Sequence, residues 1–318
     1  MSYIVYRLKD YLQEKFPVEI RKLPIHTFLG CPHRENRTGK GGCIYCYDSA
    51  FSSIENSVPN VLTQVHQGME HNRAKGFTGK FLAYFQTGTN TYADVTVLEP
   101  WFRIIEQYPD DFVGLSVGTR PDCLPPETLA LLADLGKKMM VWVELGLQSV
   151  HDRTLQLINR GHDYACFVDA VERIRMHEQI QICAHIILGL PGESLDDNLC
   201  TIREINRLQL NGIKFHHLQV VKNTVLAEWY AGGKVKVLDR EEYIGLLMEL
   251  LPHLSSKISV HRLVGNVKDD LLLAPRWRLI KARVAQMVVQ RMVVKQKFQG
   301  MYVDAEGPPP EFDMNKYF

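Results

Sequence analysis

The sequence lacks three features that would assign a protein to a broad class at once. It has no excess of charge of one sign, because 37 basic and 36 acidic residues leave a formal charge of +1, so we expect no overall attraction to nucleic acid. It has no apolar run of roughly 18 residues, as a spanning helix requires, so we expect no membrane contact. Its seven cysteines are odd in number and no signal peptide precedes them, which argues against a disulfide framework and favours a reducing cytoplasm.

The length and the composition permit a large folded core. With 318 residues, 46% of them hydrophobic, the chain suits one large α/β domain or a barrel with a small appendage. We expect a helical lead-in over residues 1–22, a core over residues 23–230 and a C-terminal extension over residues 231–318. The extension combines a basic helix, in a stretch from 271 to 303 without an acidic residue, with a loose tail from residue 305.

Short apolar runs alternate with amphipathic helical patterns through the core. The predicted strands cover residues 24–29, 80–86, 112–117, 139–145, 181–188 and 212–220, and 257–263 is a further candidate. Helical patterns lie between them at residues 97–108, 125–135, 163–177, 195–208 and 239–251. This repeated order implies right-handed crossovers and a parallel sheet, hence a partial or complete barrel. The chemistry of such barrels lies at the carboxyl ends of the strands.

Three cysteines stand in one glycine-rich loop directly after the first predicted strand. The loop, residues 29–51, reads LGCPHRENRTGKGGCIYCYDSAF and contains Cys31, Cys43 and Cys46 without a fourth cysteine nearby. This arrangement is expected of a metal centre that keeps one coordination position open. Zinc is one alternative, because Cys-x-x-Cys pairs are common in zinc sites and His33 could complete a Cys3His set. A zinc ribbon usually has two such pairs, so an iron–sulfur cluster held by thiolates is favoured.

The loop resembles the cluster-binding loop of the radical S-adenosylmethionine (radical SAM) superfamily in its cysteine spacing and in the aromatic Tyr45 before the last cysteine. The resemblance implies an α/β fold, a partial (β/α)6 TIM-like barrel of the radical SAM type with a small helical C-terminal extension. It implies that Cys31, Cys43 and Cys46 hold a [4Fe-4S] cluster whose fourth iron binds S-adenosyl-L-methionine (SAM). One electron would then cleave SAM to a 5'-deoxyadenosyl radical that abstracts a hydrogen from the substrate.

The same resemblance implies contacts to SAM from the fourth and fifth strands. The motif ILGLPGE looks like the fifth-strand motif that lies against adenine, where Gly189 and Gly192 allow a close approach and Pro191 fixes the turn. An ordinary strand-to-helix turn is the alternative. Gln148 and Arg160 have the spacing of a pair in coproporphyrinogen dehydrogenases that contacts the ribose hydroxyls and the carboxylate of the cofactor. An amide suits a diol and a guanidinium suits a carboxylate.

Four further positions are candidates for contact with the cofactor. Glu144 lies on the same side of its strand as Gln148, and an interior salt bridge is its alternative role. His185 stands where that branch has an acidic ribose contact, which is a departure from the pattern, and a buried histidine bonded to the backbone is the alternative. Gln86 and Thr87 follow the second strand, where the superfamily often has Gly-Gly-Glu for the methionine amino group.

Two residues are candidates for chemistry on the substrate. Cys123 follows Arg120-Pro121-Asp122 at the predicted catalytic face and could donate a hydrogen or carry the substrate, with plain packing as the alternative. His216 and His217 end the sixth strand, and one of them would face the barrel in either register. We select His217 as the proton donor, and a structural hydrogen bond is its alternative role.

Segments outside the cysteine loop narrow the family further. FQTGTNTYA, GTRPD, VELGLQS and NRGH together resemble the YhcC-like group, which is related to the Elongator catalytic subunit, although no acetyltransferase domain follows here. The resemblance covers nearly the whole chain. It implies a one-electron donor such as ferredoxin or flavodoxin as a partner.

The sequence does not decide whether the substrate is an RNA, including tRNA, or a small metabolite or a protein. The Elongator kinship and the basic residues from 276 to 297 favour RNA, whereas a solvated amphipathic helix explains those basic residues equally well. The alternative function is a non-catalytic module that holds zinc or a cluster and binds RNA or another partner.

Overall fold

The computed structural model describes residues 3–35, 41–47, 50, 60–277 and 281–304, and these residues form an α/β fold around one large sheet. The strands are β1 (Ile20–Ile25), β2 (Lys80–Phe85), β3 (Phe112–Thr119), β4 (Met140–Gln148), β5 (Ile180–Leu188), β6 (Gly212–His217), β7 (Val220–Val221), β8 (Ser259–Arg262) and β9 (Leu272–Ala274). Seven strands form one parallel sheet in the order β1-β2-β3-β4-β5-β6-β8, and β7 pairs antiparallel with β9. The large sheet is curled into a half-barrel, which confirms the predicted fold class.

The helices of the described residues connect these strands. They are α1 (Leu8–Lys15), α2 (Val61–Ala74), α3 (Val95–Arg103), α4 (Pro126–Gly136), α5 (Asp152–Leu157), α6 (Tyr164–Arg175), α7 (Leu195–Arg207), α8 (Val225–Ala231), α9 (Arg240–Leu250) and α10 (Lys281–Val294). A capping box begins α7, because the Ser194 hydroxyl accepts from the Asp197 backbone N–H and the Asp197 carboxylate accepts from the Ser194 N–H. This capping starts α7 directly after the turn that follows β5.

The core lies between the outer face of the sheet and the helices that cover it. The strands of the sheet centre are buried along almost their whole length, and Val141, Val143 and Leu145 of β4 are fully buried. Near-continuous apolar runs are typical of parallel strands that are covered on both faces. The inner face differs, because Glu144 and Lys214 are also buried there. The polar interior of the half-barrel therefore needs internal partners for its charges.

The first strand differs from the prediction at its boundaries. The sequence predicts a helical lead-in up to residue 22, whereas α1 ends at Lys15 and β1 begins at Ile20. Backbone pairing decides this boundary, because Ile20 is aligned with Lys80 of β2 at the first residue of both strands. Pro24 is tolerated inside the strand because β1 lies at the edge of the sheet.

The C-terminal residues add a strand and a helix to the half-barrel. The candidate strand at 257–263 is present as β8, which pairs with β6 and lies inside the predicted extension 231–318. The predicted strand 212–220 ends at His217, and Val220 pairs with β9 instead. Helix α10 buries Val288 and Met292 in the core.

Two other expectations concern the ends of the chain and the membrane. The predicted loose tail, residues 305–318, lies outside the described residues. Within the described ranges, no helix is both long enough and apolar enough to cross a bilayer.

Candidate cofactor site at the carboxyl ends of the strands

A cavity of about 260 Å³ lies at the carboxyl ends of the parallel strands. It is lined by segments that follow β1 to β4 and by the ends of β5, β6 and β8. Most of the residues that the sequence singles out are part of its wall: Cys31, Cys43, Tyr45, Cys46, Gln86, Thr87, Glu144, Gln148, Arg160, His185 and His217. The structure therefore brings together residues that are spread from the first to the sixth strand.

Backbone hydrogen bonds to two helices hold the part of the loop that contains Cys43 and Cys46. The Ile44 N–H donates to the carbonyl of Ile158, which follows α5, at 3.1 Å. The Leu226 N–H, in the first turn of α8, donates to the Ile44 carbonyl at 2.9 Å. The Cys46 N–H donates to the Cys43 carbonyl at 3.0 Å and closes a tight turn. The cysteine pair is thus attached to elements that lie far along the chain.

The environments of the thiols differ. Burial raises the pKa of Cys46 to about 11, and the neighbouring Cys43 adds to the effect. Burial alone would also raise the pKa of Cys31, but hydrogen bonds from the Arg34 backbone and the Thr89 side chain bring it below its ordinary value. Thiolates crowded in one wall repel each other, and a bound metal centre offsets this repulsion. The donor set therefore fits an iron–sulfur cluster.

Arg160 is buried in the wall of the cavity beside the cysteines. Its Nη2 donates to the Gly146 carbonyl at 2.7 Å, and its Nη1 lies 3.7 Å from the Sγ of Cys43. Its Nε has no hydrogen-bond partner among the described residues although the side chain is buried. Buried donors of this kind normally have an acceptor. Arg160 therefore fits the predicted role of binding a carboxylate or another acceptor of the cofactor.

A bulge at the end of β4 brings Gln148 next to Arg160. The pairing with β5 shifts between Gly146 and Gln148, so Leu147 has no partner in the register. Bulges of this kind redirect side chains beside active sites. A Cβ on Gly146 would lie 2.5 Å from Arg160 Nη2 and 2.8 Å from Gln148 Nε2. Glycine at this position therefore keeps space for both side chains.

The segment after β2 packs against the start of the cysteine loop. The Thr89 N–H donates to the Gly30 carbonyl at 2.8 Å. A Cβ on Gly88, whose φ is +80°, would lie 2.6 Å from the same carbonyl oxygen. Gln86 and Thr87 both line the cavity. Their contacts to the cofactor stay a prediction, and the position of both residues in the cavity wall is compatible with it.

The predicted adenine motif follows β5 as a tight turn. Gly189 and Gly192 have φ values of +82° and +80°, in the left-handed region that favours glycine. The Glu193 carboxylate accepts a hydrogen bond from the Ser149 hydroxyl at 2.5 Å, which attaches the motif to the end of β4. Ile187 lines the cavity, whereas Gly189, Pro191 and Gly192 are not among its described lining residues.

Glu144 lies at the centre of a buried ion-pair network. Its carboxylate accepts from Lys22 Nζ at 2.8 Å, from His185 Nε2 at 2.9 Å and from Ser116 Oγ at 2.7 Å, and it also pairs with Lys214. Burial alone would raise the pKa of Glu144, but the charges of Lys214 and Lys22 hold it well below its usual range. The partners of Glu144 are therefore those of an interior salt bridge, the alternative role named above. His185 bonds to the Glu144 carboxylate.

The two residues selected for substrate chemistry differ in their access to the cavity. Cys123 is buried in a short 3-10 helix and is not among the described lining residues. Burial, together with the charge of Asp122, raises the pKa of Cys123 to about 12. His217 lines the cavity and stacks on Trp277 with ring centroids 4.1 Å apart, and burial lowers its pKa to about 3. Their catalytic roles stay predictions.

Several charged residues of the site were not assigned a role from the sequence. Arg120 pairs with Asp122 through two hydrogen bonds of 2.8 Å, donates to the Arg160 carbonyl at 3.1 Å and lines the cavity. Its position directly after β3, at the predicted catalytic face, is the sequence signal that could have identified Arg120 as a site residue. Lys22 and Lys214 lie inside β1 and β6, and no local pattern distinguishes them from surface lysines.

A zinc site has less support from the geometry. The predicted fourth ligand, His33, is fully buried and its Nε2 lies 2.7 Å from the Asn159 carbonyl. Among the described residues, no three His, Cys, Asp or Glu side chains are grouped so that they could hold one metal ion. Zinc requires ligands at about 2.3 Å from a single centre. In a [4Fe-4S] cluster each cysteine binds a separate iron, so its thiols need not converge on one point.

Comparisons with known proteins assign the family. The model of the Radical SAM superfamily matches residues 25–205. The chain belongs to the radical SAM superfamily. The model of the Radical_SAM C-terminal domain matches residues 210–293, so the two radical SAM matches together span most of the chain.

Two relatives are similar over most of their length. The uncharacterized protein YtqA of Bacillus subtilis is 36% identical over 296 residues, which is 93% of this chain and 91% of YtqA. Protein YhcC of Escherichia coli is 36% identical over 269 residues, which is 84% of this chain and 85% of YhcC. These matches confirm the predicted resemblance of this radical SAM protein to the YhcC-like group.

More distant relatives are larger proteins. The tRNA uridine(34) acetyltransferase of Dehalococcoides mccartyi is 27% identical over 182 residues, which is 56% of this chain and 39% of that protein. The structure of the archaeal Elp3 of Methanocaldococcus infernus matches with a TM-score of 0.68 at 17% identity, over 88% of this chain and 64% of that chain. This likeness supports the radical SAM half-barrel fold.

Proposed function

We propose that this protein is an enzyme that binds a [4Fe-4S] cluster through Cys31, Cys43 and Cys46 and cleaves SAM reductively. One observation carries this proposal. The three thiols line the same cavity as Arg160 and Gln148, two residues of the right chemistry for the carboxylate and the ribose of SAM. Membership of the superfamily, whose members are enzymes, supports the same conclusion.

The chain's own residues bind and orient the cofactor in this proposal. When bound, the cluster and SAM supply one-electron cleavage of the sulfonium and a 5'-deoxyadenosyl radical that abstracts a substrate hydrogen. Arg160 has a buried Nε–H without a partner among the described residues, which suits an acceptor of the cofactor, and Gln148 offers an amide to a diol. Gly146 keeps the space that both side chains need.

A one-electron donor is a part of the proposal, because SAM cleavage needs one electron that the chain does not supply. A ferredoxin or a flavodoxin is the partner that we expect. The odd number of cysteines, seven, favours a reducing compartment such as the cytoplasm.

Anaerobic reconstitution tests the proposed cluster. We expect wild-type protein to show a thiolate-to-iron absorption band at about 400 nm and to release 5'-deoxyadenosine from SAM after reduction with dithionite. Cys43→Ala removes one ligand and should abolish the product, while circular dichroism stays unchanged because Cys43 lies outside the strands and helices. Cys166→Ala is the matched control, since Cys166 is a cysteine of α6 that does not line the cavity.

Two results would contradict the proposal. Undiminished 5'-deoxyadenosine from Cys43→Ala would show that this cysteine is not a ligand of the cluster. Wild-type protein that is colourless, contains zinc and does not cleave SAM would favour the alternative function, a non-catalytic binding module.

RNA is a second candidate for the substrate. The tRNA uridine(34) acetyltransferase relative favours it, but the basic C-terminal stretch adds little support. Arg291 pairs with Glu241 at 2.5 Å and Lys297 pairs with Glu249 at 2.7 Å, so these charges are already partly neutralised. Mass spectrometry of tRNA nucleosides from cells with and without the gene tests this candidate, which predicts the loss of one modified nucleoside.

A further inference from the structure

Four polar side chains form one wall of the cavity and have no hydrogen bond or ion pair within the described residues. They are Arg262 at the end of β8, His216 on β6, Gln219 just after β6, and Asn266 in the loop after β8. We call them the β6–β8 wall. They are distinct from the residues predicted to contact SAM. The wall is therefore a polar surface of the cavity whose partners are not within the described protein.

The members of the β6–β8 wall are neighbours. A Cβ on Gly265 would lie 3.0 Å from Gln219 Oε1 and 3.2 Å from His216 Nδ1, so the loop that carries Asn266 packs onto both side chains. His216 Nε2 is buried and has no hydrogen-bond partner in the part of the chain that the structure describes. Gln219 is 9% exposed. Buried polar groups without partners are costly, and a bound polar ligand would supply the missing partners.

The positive charge of Arg262 is in excess. Glu144 is the acidic residue among the described lining residues, and its carboxylate is already paired with Lys22 and Lys214. Lys22 alone balances the charge of Glu144, whether or not Lys214 is protonated. The neighbouring His216 is neutral, because burial and the charge of Arg262 hold its pKa well below its usual range. The β6–β8 wall therefore has one uncompensated positive charge.

Arg262 lies at the opposite edge of the sheet from the cysteine loop. The cysteine loop follows β1, at one edge of the sheet, whereas Arg262 ends β8, at the other edge. Arg160 and Gln148, the proposed contacts of SAM, are associated with β4 between them. The two sets face one cavity from different strands. A ligand at Arg262 thus lies on the β8 side of the cavity, next to the predicted cofactor contact His185, whose ring is 5.4 Å from that of His216.

We propose that the β6–β8 wall binds an anionic oxygen group of the substrate, a carboxylate or a phosphate. This inference rests on the proposed function and specifies its substrate class. The guanidinium of Arg262 is the main donor, because its planar fork binds two oxygens of one anion. His216 and Gln219 offer neutral groups that complete the hydrogen bonding. When its anionic group is bound at this wall, the rest of the substrate extends into the cavity that the three thiols line.

Titration calorimetry on the anaerobically reconstituted protein with SAM present tests the inference. The probes are succinate, inorganic phosphate and the uncharged succinamide. We expect the wild type to bind at least one of the two anions and not succinamide. The anion that binds with the higher affinity indicates whether the substrate group is a carboxylate or a phosphate. Arg262→Gln should lower that affinity by about tenfold or more, because hydrogen bonds to charged groups are lost. Arg262→Lys should recover part of it, since the charge remains without the fork.

Controls separate this inference from the proposed function. Arg175→Gln changes an exposed arginine of α6 and should leave anion binding unchanged. Arg262→Gln should retain its affinity for SAM. Equal anion affinity in Arg262→Gln and wild type, binding of neither anion to wild type, or loss of SAM affinity in Arg262→Gln would each overturn the inference. Failure of wild type to cleave SAM would instead overturn the proposed function, and the anion titration does not depend on cleavage.

Discussion

The Nη1 of Arg160 lies 3.7 Å from the Sγ of Cys43, and its Nη2 donates to the carbonyl of Gly146. This relationship joins the cysteine loop to the end of β4 through one buried cation. Burial lowers the pKa of Arg160, but the neighbouring Tyr45 and Cys43 raise it overall, so the guanidinium stays charged. One side chain therefore contacts the proposed cluster ligand and the proposed SAM site together.

Arg160→Ala should weaken the binding of SAM by about 10-fold to 100-fold, because charge-assisted hydrogen bonds to an anionic group are lost. The iron content per chain should stay unchanged, since the three cysteines remain. Calorimetry with SAM and an iron assay on the reconstituted protein measure the two effects. Arg153→Ala, an exposed arginine of α5, serves as the control. Equal SAM affinity in Arg160→Ala and wild type would remove Arg160 from the proposed site.

Gly146→Ala should reduce SAM affinity while the protein stays folded. The added Cβ would lie 2.5 Å from Arg160 Nη2 and 2.8 Å from Gln148 Nε2. Both are ends of long side chains, so they move aside and lose their orientation rather than unfold the strand. Gly245→Ala in α9 is the matched control, because its Cβ would meet no atom of the described residues within 4 Å and should stabilise the helix by about 0.5–1 kcal/mol. Unchanged SAM affinity in Gly146→Ala would contradict the predicted role of the two displaced side chains.

Glu144→Gln should destabilise the fold by about 3–5 kcal/mol, because it leaves buried ammonium groups without a counter-charge. Lys214 has 2% of its side chain exposed and pairs with this carboxylate. Urea denaturation monitored by circular dichroism measures the change in the free energy of unfolding. The double variant Glu144→Gln with Lys214→Met should recover part of the loss, since one unpaired buried charge is removed. A double variant less stable than the sum of the two single changes would exclude this explanation.

The stability contributed by Glu144 should depend on pH in the acid range. Its pKa in the folded state is well below its usual value, so its contribution is fully present above the unfolded pKa of about 4.3 and is lost as the pH falls towards the folded pKa. The groups that face the carboxylate are Lys22, Lys214, His185 and His261. The difference in unfolding free energy between wild type and Glu144→Gln should therefore narrow below about pH 4. A difference that stays constant between neutral and acid pH would contradict this assignment.

Local sequence patterns predict the fold class, which the structure confirms, and they select residues that line the cavity. The alternation of apolar runs and helices predicts a parallel sheet, and a parallel sheet places all carboxyl ends at one edge. Gln86, Gln148 and Arg160 therefore line one cavity with the cysteine loop, as residues at or near strand ends should. The start of β1 was less accessible, because residues 20–22 fall within the predicted helical lead-in and only their pairing with β2 places them in a strand.

The sequence by itself determined the cysteine loop, the repeated alternation of strands and helices, and the family, since each depends on residues that are close along the chain. Only the tertiary structure decided which side chains meet inside the half-barrel. Lys22, Glu144 and Lys214 belong to β1, β4 and β6, which are not neighbours in the sheet. The two lysines reach the same Glu144 carboxylate because the sheet curls. The excess positive charge of Arg262 in the cavity wall was likewise evident only from the tertiary structure. The curvature of the sheet depends on the packing of all strands together, and no local spacing encodes it.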